Sequence, residues 1–383
     1  MSVTAAKGFV AAGVKAGLKS SGKEDVALVQ NLGPSFAAAA VFTTNRALAN
    51  PVIWSKEVIK DGMLSAVILN SGGANCYTGS EGFQTTHATA EKVAELLGVS
   101  SGDVLVCSTG LIGQQLDRAK VLTGVESAVT ELSADGGLKA SEAIMTTDSV
   151  AKRAHVTVDG WTIGGMAKGA GMLAPGLATM LVVITTDALV SSAVLDSSLR
   201  AATRVTFDRL DSDGCMSTND TVTIMASGAS GIEPDASEFA EALTGVCRDL
   251  ALQLLSDAEG STHDIAIKVS SAASEDDAVK VGRSLARNNL FKAAVYGNDP
   301  NWGRILAAVG TTDAQFDPYN IDVSINGVSV SRLGQPDQPR ELVDMTPRAV
   351  KIEIALNSGN ESATIFTNDL THAYVTENSE YSS

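Results

Sequence analysis

Short apolar runs, four to six residues long and rich in β-branched side chains, recur along this chain between small polar residues. They fall at Val26–Val29, Ala66–Leu69, Val104–Cys107, Met180–Thr185, Thr221–Met225, Asp264–Val269, Ile321–Ile325 and Val350–Ile354. Runs of this length bounded by Gly, Asn, Ser or Asp predict strands. Between them lie segments that read as helices: Gln84–Leu97, Ala119–Leu132, Leu195–Thr206, Ser237–Ser256 and Asp277–Leu290. Asp235 followed by Glu238 supplies an N-terminal cap for the fourth. Strands mixed with helices predict α/β (α+β) layers. No internal repeat or low-complexity linker interrupts the chain. Helix Ser237–Ser256 is the least arbitrary divide, giving a larger unit over 1–235 and a smaller one over 236–383.

Composition narrows the function classes. The 383 residues suffice for two or more domains, and 44% hydrophobic with 19% charged residues suits a sizeable core. Aromatics make up only 4%, so the core is built from small side chains, as in tightly layered α/β structures. A net charge of −16 with no basic run argues against nucleic-acid binding through phosphates. Cys76, Cys107, Cys215 and Cys247 are far apart, and His87, His155, His263 and His372 show no ligand spacing. Neither a zinc site nor a disulfide framework is predicted; the cysteines read as reduced core residues of a cytoplasmic protein. No apolar run approaches membrane-span length, and Phe9–Val14, followed by Lys15, does not read as a signal peptide.

The most informative stretch is Lys168-Gly-Ala-Gly-Met-Leu-Ala-Pro-Gly-Leu-Ala-Thr179, a glycine- and proline-rich loop that runs into the strand beginning at Met180. A hydroxyl held at such a junction can attack the preceding carbonyl in an N-to-O acyl shift. Hydrolysis of the ester would free Thr179, whose α-amine (pKa about 7.7–8.0) can act as base for its own hydroxyl. The bland reading is a threonine at a strand edge after ordinary turn chemistry. Gly169-x-Gly171-x-x-Ala174 also fits a dinucleotide-binding fingerprint, but Pro175 and Gly176 oppose the helix that motif needs.

Three further segments place small polar residues after apolar ones. In Val106-Cys-Ser-Thr-Gly-Leu-Ile-Gly113, the Thr109 hydroxyl and the Gly110 amide can converge on an oxyanion, or form a plain turn. Ala143-Ile-Met-Thr-Thr-Asp-Ser149 ends a helical stretch, and Val375–Ser383 is either a frayed tail or a segment folded into a cleft. Lys168, placed on the glycine loop, is a solvated lysine or a clamp for a substrate carboxylate.

These segments lie within longer motifs. They are Asn70-Ser-Gly-Gly-Ala-Asn75, Cys107-Ser-Thr-Gly-Leu-Ile-Gly113, Met145-Thr-Thr-Asp148, Gly164–Pro175, Ala178-Thr-Met-Leu181, Ser217-Thr-Asn-Asp-Thr221, Asp257-Ala-Glu-Gly260, Gly297–Arg304 and Glu377-Asn-Ser379. Over essentially its whole length the chain thereby resembles the ornithine acetyltransferases (glutamate N-acetyltransferases) of arginine biosynthesis. It departs from their pattern at Glu380 and at Cys76-Tyr77.

The resemblance implies a layered αββα sandwich with a second, smaller α/β domain, and a tail returning to the first domain's cleft. It implies self-cleavage between Ala178 and Thr179 into units 1–178 and 179–383, assembled as two copies of each. It implies Thr179 as nucleophile and Thr109 with Gly110 as oxyanion hole. It further implies Thr146, Lys168, Thr179, Glu259, Asn378 and Ser383 around the amino acid; Thr147 stays an alternative to Thr146. The implied reaction moves acetyl from N2-acetyl-L-ornithine to L-glutamate by ping-pong chemistry, with no cofactor. Whether acetyl-CoA also donates is left open. A self-cleaving N-terminal-nucleophile amidase or peptidase is the competing class.

Overall fold

A computed structural model describes residues 2–172 and 180–380. In chain order its strands are β1 (Phe9–Val14), β2 (Val26–Asn31), β3 (Ala38–Phe42), β4 (Ala66–Asn70), β5 (Val104–Ser108), β6 (Lys152–Val158), β7 (Trp161–Lys168), β8 (Leu181–Thr186) and β9 (Thr221–Ala226). After helix Ala236–Ser256 come β10 (Asp264–Ala272), β11 (Asp322–Ile325), β12 (Val328–Arg332), β13 (Gln335–Pro336), β14 (Ala349–Ala355) and β15 (Glu361–Asn368).

The strands form three sheets, ordered β1-β2-β4-β5, β3-β9-β8-β7-β6 and β13-β12-β11-β14-β10-β15. The first two lie face to face, and side-chain alternation along each strand shows it. In β4, Val67 and Leu69 join a core shared with Leu181 and Val183 of β8, while Ala66 and Ile68 point to the opposite face. That opposite face is covered by helices Gly79–Leu97 and Arg118–Thr130 through Ala90, Val93, Val125 and Ala128. The outer face of the second sheet, including Val182 and Ile184 of β8, packs under helices Ser192–Val205 and Ala236–Ser256. The layer order is helix, sheet, sheet, helix, the αββα arrangement the resemblance implies.

Helix Ala236–Ser256 buries Phe239, Leu243, Val246, Cys247, Leu250, Leu254 and Leu255, the three-and-four spacing of one helix face. Each large side chain among them stabilises the fold by roughly 1.5–3 kcal/mol. The Asp235 carboxylate accepts from Ser237 N at 2.8 Å, so the expected cap is present. The third sheet has a separate core, in which Ile265, Ile267 and Val269 of β10 meet Val281 and Leu285 of helix Glu275–Ala286.

All eight predicted strands are observed. The structure departs from expectation in the 150s and 160s, where β6 and β7 form an antiparallel hairpin that includes Gly164, Gly165 and Lys168. Lys168 therefore stands at the end of a strand; the loop begins at Gly169. The tail forms helix His372–Glu380. No described helix is long and apolar enough to cross a membrane.

Candidate active site

β5, an edge strand of the first sheet, and β7, an interior strand of the second, end close together. Beyond β5 the chain turns so that Thr109 N donates to Asn70 O (2.9 Å) and Gly73 N donates to Thr109 O (3.0 Å). Gly110 follows with φ +131°, a conformation that L side chains rarely adopt, and a Cβ there would lie 2.7 Å from Gly73 N. The glycine is required by this close approach. From β7 the Lys168 ammonium donates to Thr109 Oγ1 at 3.3 Å, and both residues are almost completely buried. The structure thus brings Thr109, Gly110 and Lys168 into one place.

The Met145–Asp148 segment adds an anchor. Asp148 accepts from Gly169 N (2.6 Å) and Thr146 N (2.9 Å), fixing the ends of both loops. It also accepts from Lys152 Nζ (2.6 Å), which reaches Asp257 at 2.5 Å. Burial pushes the Asp148 carboxyl up, but Lys168, Lys152 and its hydrogen bonds outweigh that and hold it down at about 2. Burial lowers the Lys168 ammonium's pKa; Asp148, Asp220 and Glu259 oppose the shift and Lys152 adds to it. A cavity of 550 Å³ opens beside these loops, lined by Gly110, Thr146, Thr147, Lys19, Ser71 and Gln114 among others. Both threonines face it.

Glu259 follows helix Ala236–Ser256 and ties back to the lysine loop through Glu259 N to Ala170 O (3.0 Å). Its carboxylate accepts from Asn378 Nδ2 at 2.9 Å, and Thr371 Oγ1 donates to Gly260 O at 2.6 Å. The tail helix is therefore docked on the Asp257–Gly260 turn.

Ala178, Thr179 and Ser383 lie outside the described residues. The description resumes at Met180, whose N donates to Asp220 Oδ1 at 3.1 Å. The next residue, Leu181, pairs with Lys168 on one side and with Thr221 on the other. Asn219 Nδ2 binds Ala74 O (2.6 Å) and Ser108 O (2.8 Å), clamping the Ser217–Asp220 turn onto the end of β5.

Sequence reasoning gave no role to Lys19, Lys152, Asp257, Asn219 or Asp220. Asp148, Asn219, Asp220 and Asp257 stood inside quoted motifs. The four-residue spacing of Asp148 and Lys152 was the one local hint of a pair. Lys19 sits in a loop whose amides bind Asp25, with Ala16 N and Leu18 N each 2.6 Å from a carboxylate oxygen. Burial brings the Lys19 ammonium down to about 8.

Residues 10–383 match the family model described as the ArgJ family. "Arginine biosynthesis bifunctional protein ArgJ" of Streptomyces coelicolor is 62% identical over 383 residues, covering all of both chains. The protein of the same name from Thermobifida fusca is 60% identical over 382 residues, again covering both chains completely. Among solved structures, ornithine acetyltransferase of Mycobacterium tuberculosis in complex with ornithine is 53% identical, with a TM-score of 0.45. That match covers 47% of this chain and 96% of the other.

Proposed function

The chain belongs to the ArgJ family, and from that membership we propose that it transfers acetyl from N2-acetyl-L-ornithine to L-glutamate. In this reading the chain first cleaves itself between Ala178 and Thr179. The freed Thr179 amine takes the hydroxyl proton as Oγ attacks the acetyl carbonyl, and Thr109 and Gly110 bind the oxyanion. The ammonium returns its proton to departing ornithine, and glutamate then takes the acetyl group from Thr179 Oγ.

The observation that carries the reading is the meeting of β5, β7 and β8. Leu181, two residues past Thr179, pairs with Lys168, whose ammonium touches Thr109. The start of β8, which follows residue 179 in the chain, thus has a buried cation and a glycine-turned donor loop as neighbours, and this supports the reading. Lys168 suits the α-carboxylate common to both substrates, and Thr146 lines the adjoining cavity. Glu259, held by Asn378, suits the ornithine ammonium, and Ser383 belongs to the same proposed tail contacts. Both bonds exchanged are α-amides, so the reaction is near balance and needs no energy-coupled cofactor.

Relatives of this chain are named bifunctional, and acetylation of glutamate by acetyl-CoA is the second activity we assign. The cleaved units are proposed to assemble as two of each. The test is ornithine release from acetylornithine. Release that requires glutamate and yields N-acetylglutamate supports the transferase; equal release without glutamate would make the protein an amidase. Glutamate-dependent release of thiol from acetyl-CoA checks the second donor.

A further inference from the structure

Lys19 brings a further ammonium to the cavity beside Gly110 and Thr146, and no step above uses it. It stands on the loop that joins β1 to β2, and the buried Asp25 carboxylate holds that loop in shape. Asp25 Oδ1 accepts from Ala16 N (2.6 Å), and Oδ2 accepts from Leu18 N (2.6 Å) and Lys19 N (3.1 Å). The Lys19 side chain is fixed as well. Its Nζ donates to Glu24 O at 2.8 Å and to Ala143 O, at the end of helix Gly137–Ala143, at 3.4 Å.

An ammonium has three donors, so one remains. Among the described residues no carboxylate takes it. Asp25 is spent on its three amides, and Asp148 is spent on Lys152, Gly169 and Thr146. Both acids act on the Lys19 charge only from further away, and the nearby Lys168 charge opposes it. Two cations beside one small site destabilise each other, and an anion bound next to both relieves this. Although burial brings Lys19 down to about 8, it is still charged at pH 7.

The two proposed substrates differ in the number of carboxylates they bring. Ornithine has one carboxylate and a side-chain ammonium; glutamate has two carboxylates. With the shared α-carboxylate assigned to Lys168, the second carboxylate of glutamate still lacks a cation. Resting on the transferase reading above, we propose that Lys19 is the acceptor-specific binding residue, whose remaining N–H donor takes the γ-carboxylate of the incoming glutamate. One site then serves both half-reactions with different distal partners: Glu259 for the ornithine ammonium and Lys19 for the glutamate carboxylate. Asp25 and the two carbonyls fix the loop and its ammonium before substrate arrives, so binding has little ordering left to do.

The test compares acceptors that differ only in that charge. Glutamine has the shape of glutamate without the γ-carboxylate. kcat/KM for transfer from acetylornithine to each acceptor is measured at pH 7 in the wild type, Lys19→Met and Lys19→Arg. The proposal expects the wild type to favour glutamate. Lys19→Met should lower that preference by about 10- to 100-fold, the worth of one charge-assisted hydrogen bond. KM for glutamate should rise far more than KM for acetylornithine, and Lys19→Arg should keep part of the preference. An unchanged preference in folded Lys19→Met overturns the proposal, and so does a wild type that does not discriminate. An equal loss with both acceptors also overturns it, because it marks a lysine that only supports the loop. Should Lys19→Met fail to fold in thermal unfolding, Lys19→Gln, which keeps a donor for Glu24 O, is read by the same outcomes. Wild-type protein that releases ornithine equally without any acceptor would overturn the transferase reading and this proposal with it. Glutamate-dependent release with an unaltered preference in the variant overturns the proposal alone.

Discussion

Replacing Lys152 by Met removes the cation that stands between two acids at the base of the site. Its ammonium is fully buried, 2.6 Å from Asp148 and 2.5 Å from Asp257. At an effective dielectric of about 20, unit charges at that separation attract by roughly 6 kcal/mol. Desolvation offsets most of this while the pair is intact, but deleting one partner leaves the other charge buried, at a cost of about 3–5 kcal/mol. Met matches the lysine stem in length, so little packing is lost. Asp148 would keep its Gly169 and Thr146 amides, and Asp257 its Ser149 contacts, which places the expected loss toward the lower end, about 3 kcal/mol at pH 7.

The loss has a pH signature. In the wild-type chain the depressed Asp148 pKa contributes stability above the unfolded carboxylate value, and that stability is lost as pH falls toward about 2. In Lys152→Met, Lys168 and the backbone amides still hold the Asp148 carboxyl down, but the share due to Lys152 is lost, so its folded pKa lies above the wild-type one and protonation relieves the variant sooner as pH falls. The gap between the two chains should narrow from pH 7 to pH 4. Urea unfolding in a Thr179→Ala background, which keeps the chain in one piece, reads this directly. A gap below about 1 kcal/mol at pH 7, or one that widens on acidification, would refute the reasoning.

Gly110→Ala should lower acetyl transfer by 100-fold or more with the secondary structure unchanged, because its Cβ would meet Gly73 N at 2.7 Å and shift the proposed oxyanion loop; near-normal kcat would contradict that. Lys168→Met should raise KM for both acetylornithine and glutamate by roughly 10- to 100-fold, the worth of a charge-assisted hydrogen bond; an unchanged KM for either would remove the carboxylate-clamp role. Deleting residues 378–383 should raise hydrolysis relative to transfer or abolish binding, since Asn378 ties the tail to Glu259; unchanged kinetics would remove the tail from the proposed site. Thiol titration of the native protein at pH 8 should find Cys215 alone accessible, because Cys76 is buried and burial pushes the Cys107 and Cys247 thiols up to about 12; rapid modification of Cys107 would contradict the packing of β5.

The strands read most clearly from sequence were those buried on both faces by β-branched residues, such as Leu181–Thr186. β3, with three consecutive alanines, carried no such signal, because alanine has little strand preference of its own. β7 was hidden by glycines that mimic a loop. A Cβ on Gly164 would lie 2.3 Å from Ser2 O, and one on Gly165 would lie 3.0 Å from Leu250 Cδ1. These glycines admit the N-terminal segment on one face and helix Ala236–Ser256 on the other, contacts between distant parts of the chain that no local pattern records. The site was legible in a similarly uneven way. Thr109, Gly110 and Lys168 stood out as residues, and their meeting did not, since it depends on how two sheets stack. The buried acids Asp148 and Asp220 appear in sequence as ordinary turn residues; only their burial and partners show that they organise the loops around the strand ends.

The central claim is that Thr179 becomes the amino terminus of a new chain. Intact mass of the purified wild-type protein, beside Thr179→Ala, tests it most directly. The account predicts fragments covering residues 1–178 and 179–383 in the wild type and a single uncleaved chain in the control. A single chain in catalytically active wild-type protein would deny Thr179 its free amine and contradict the account.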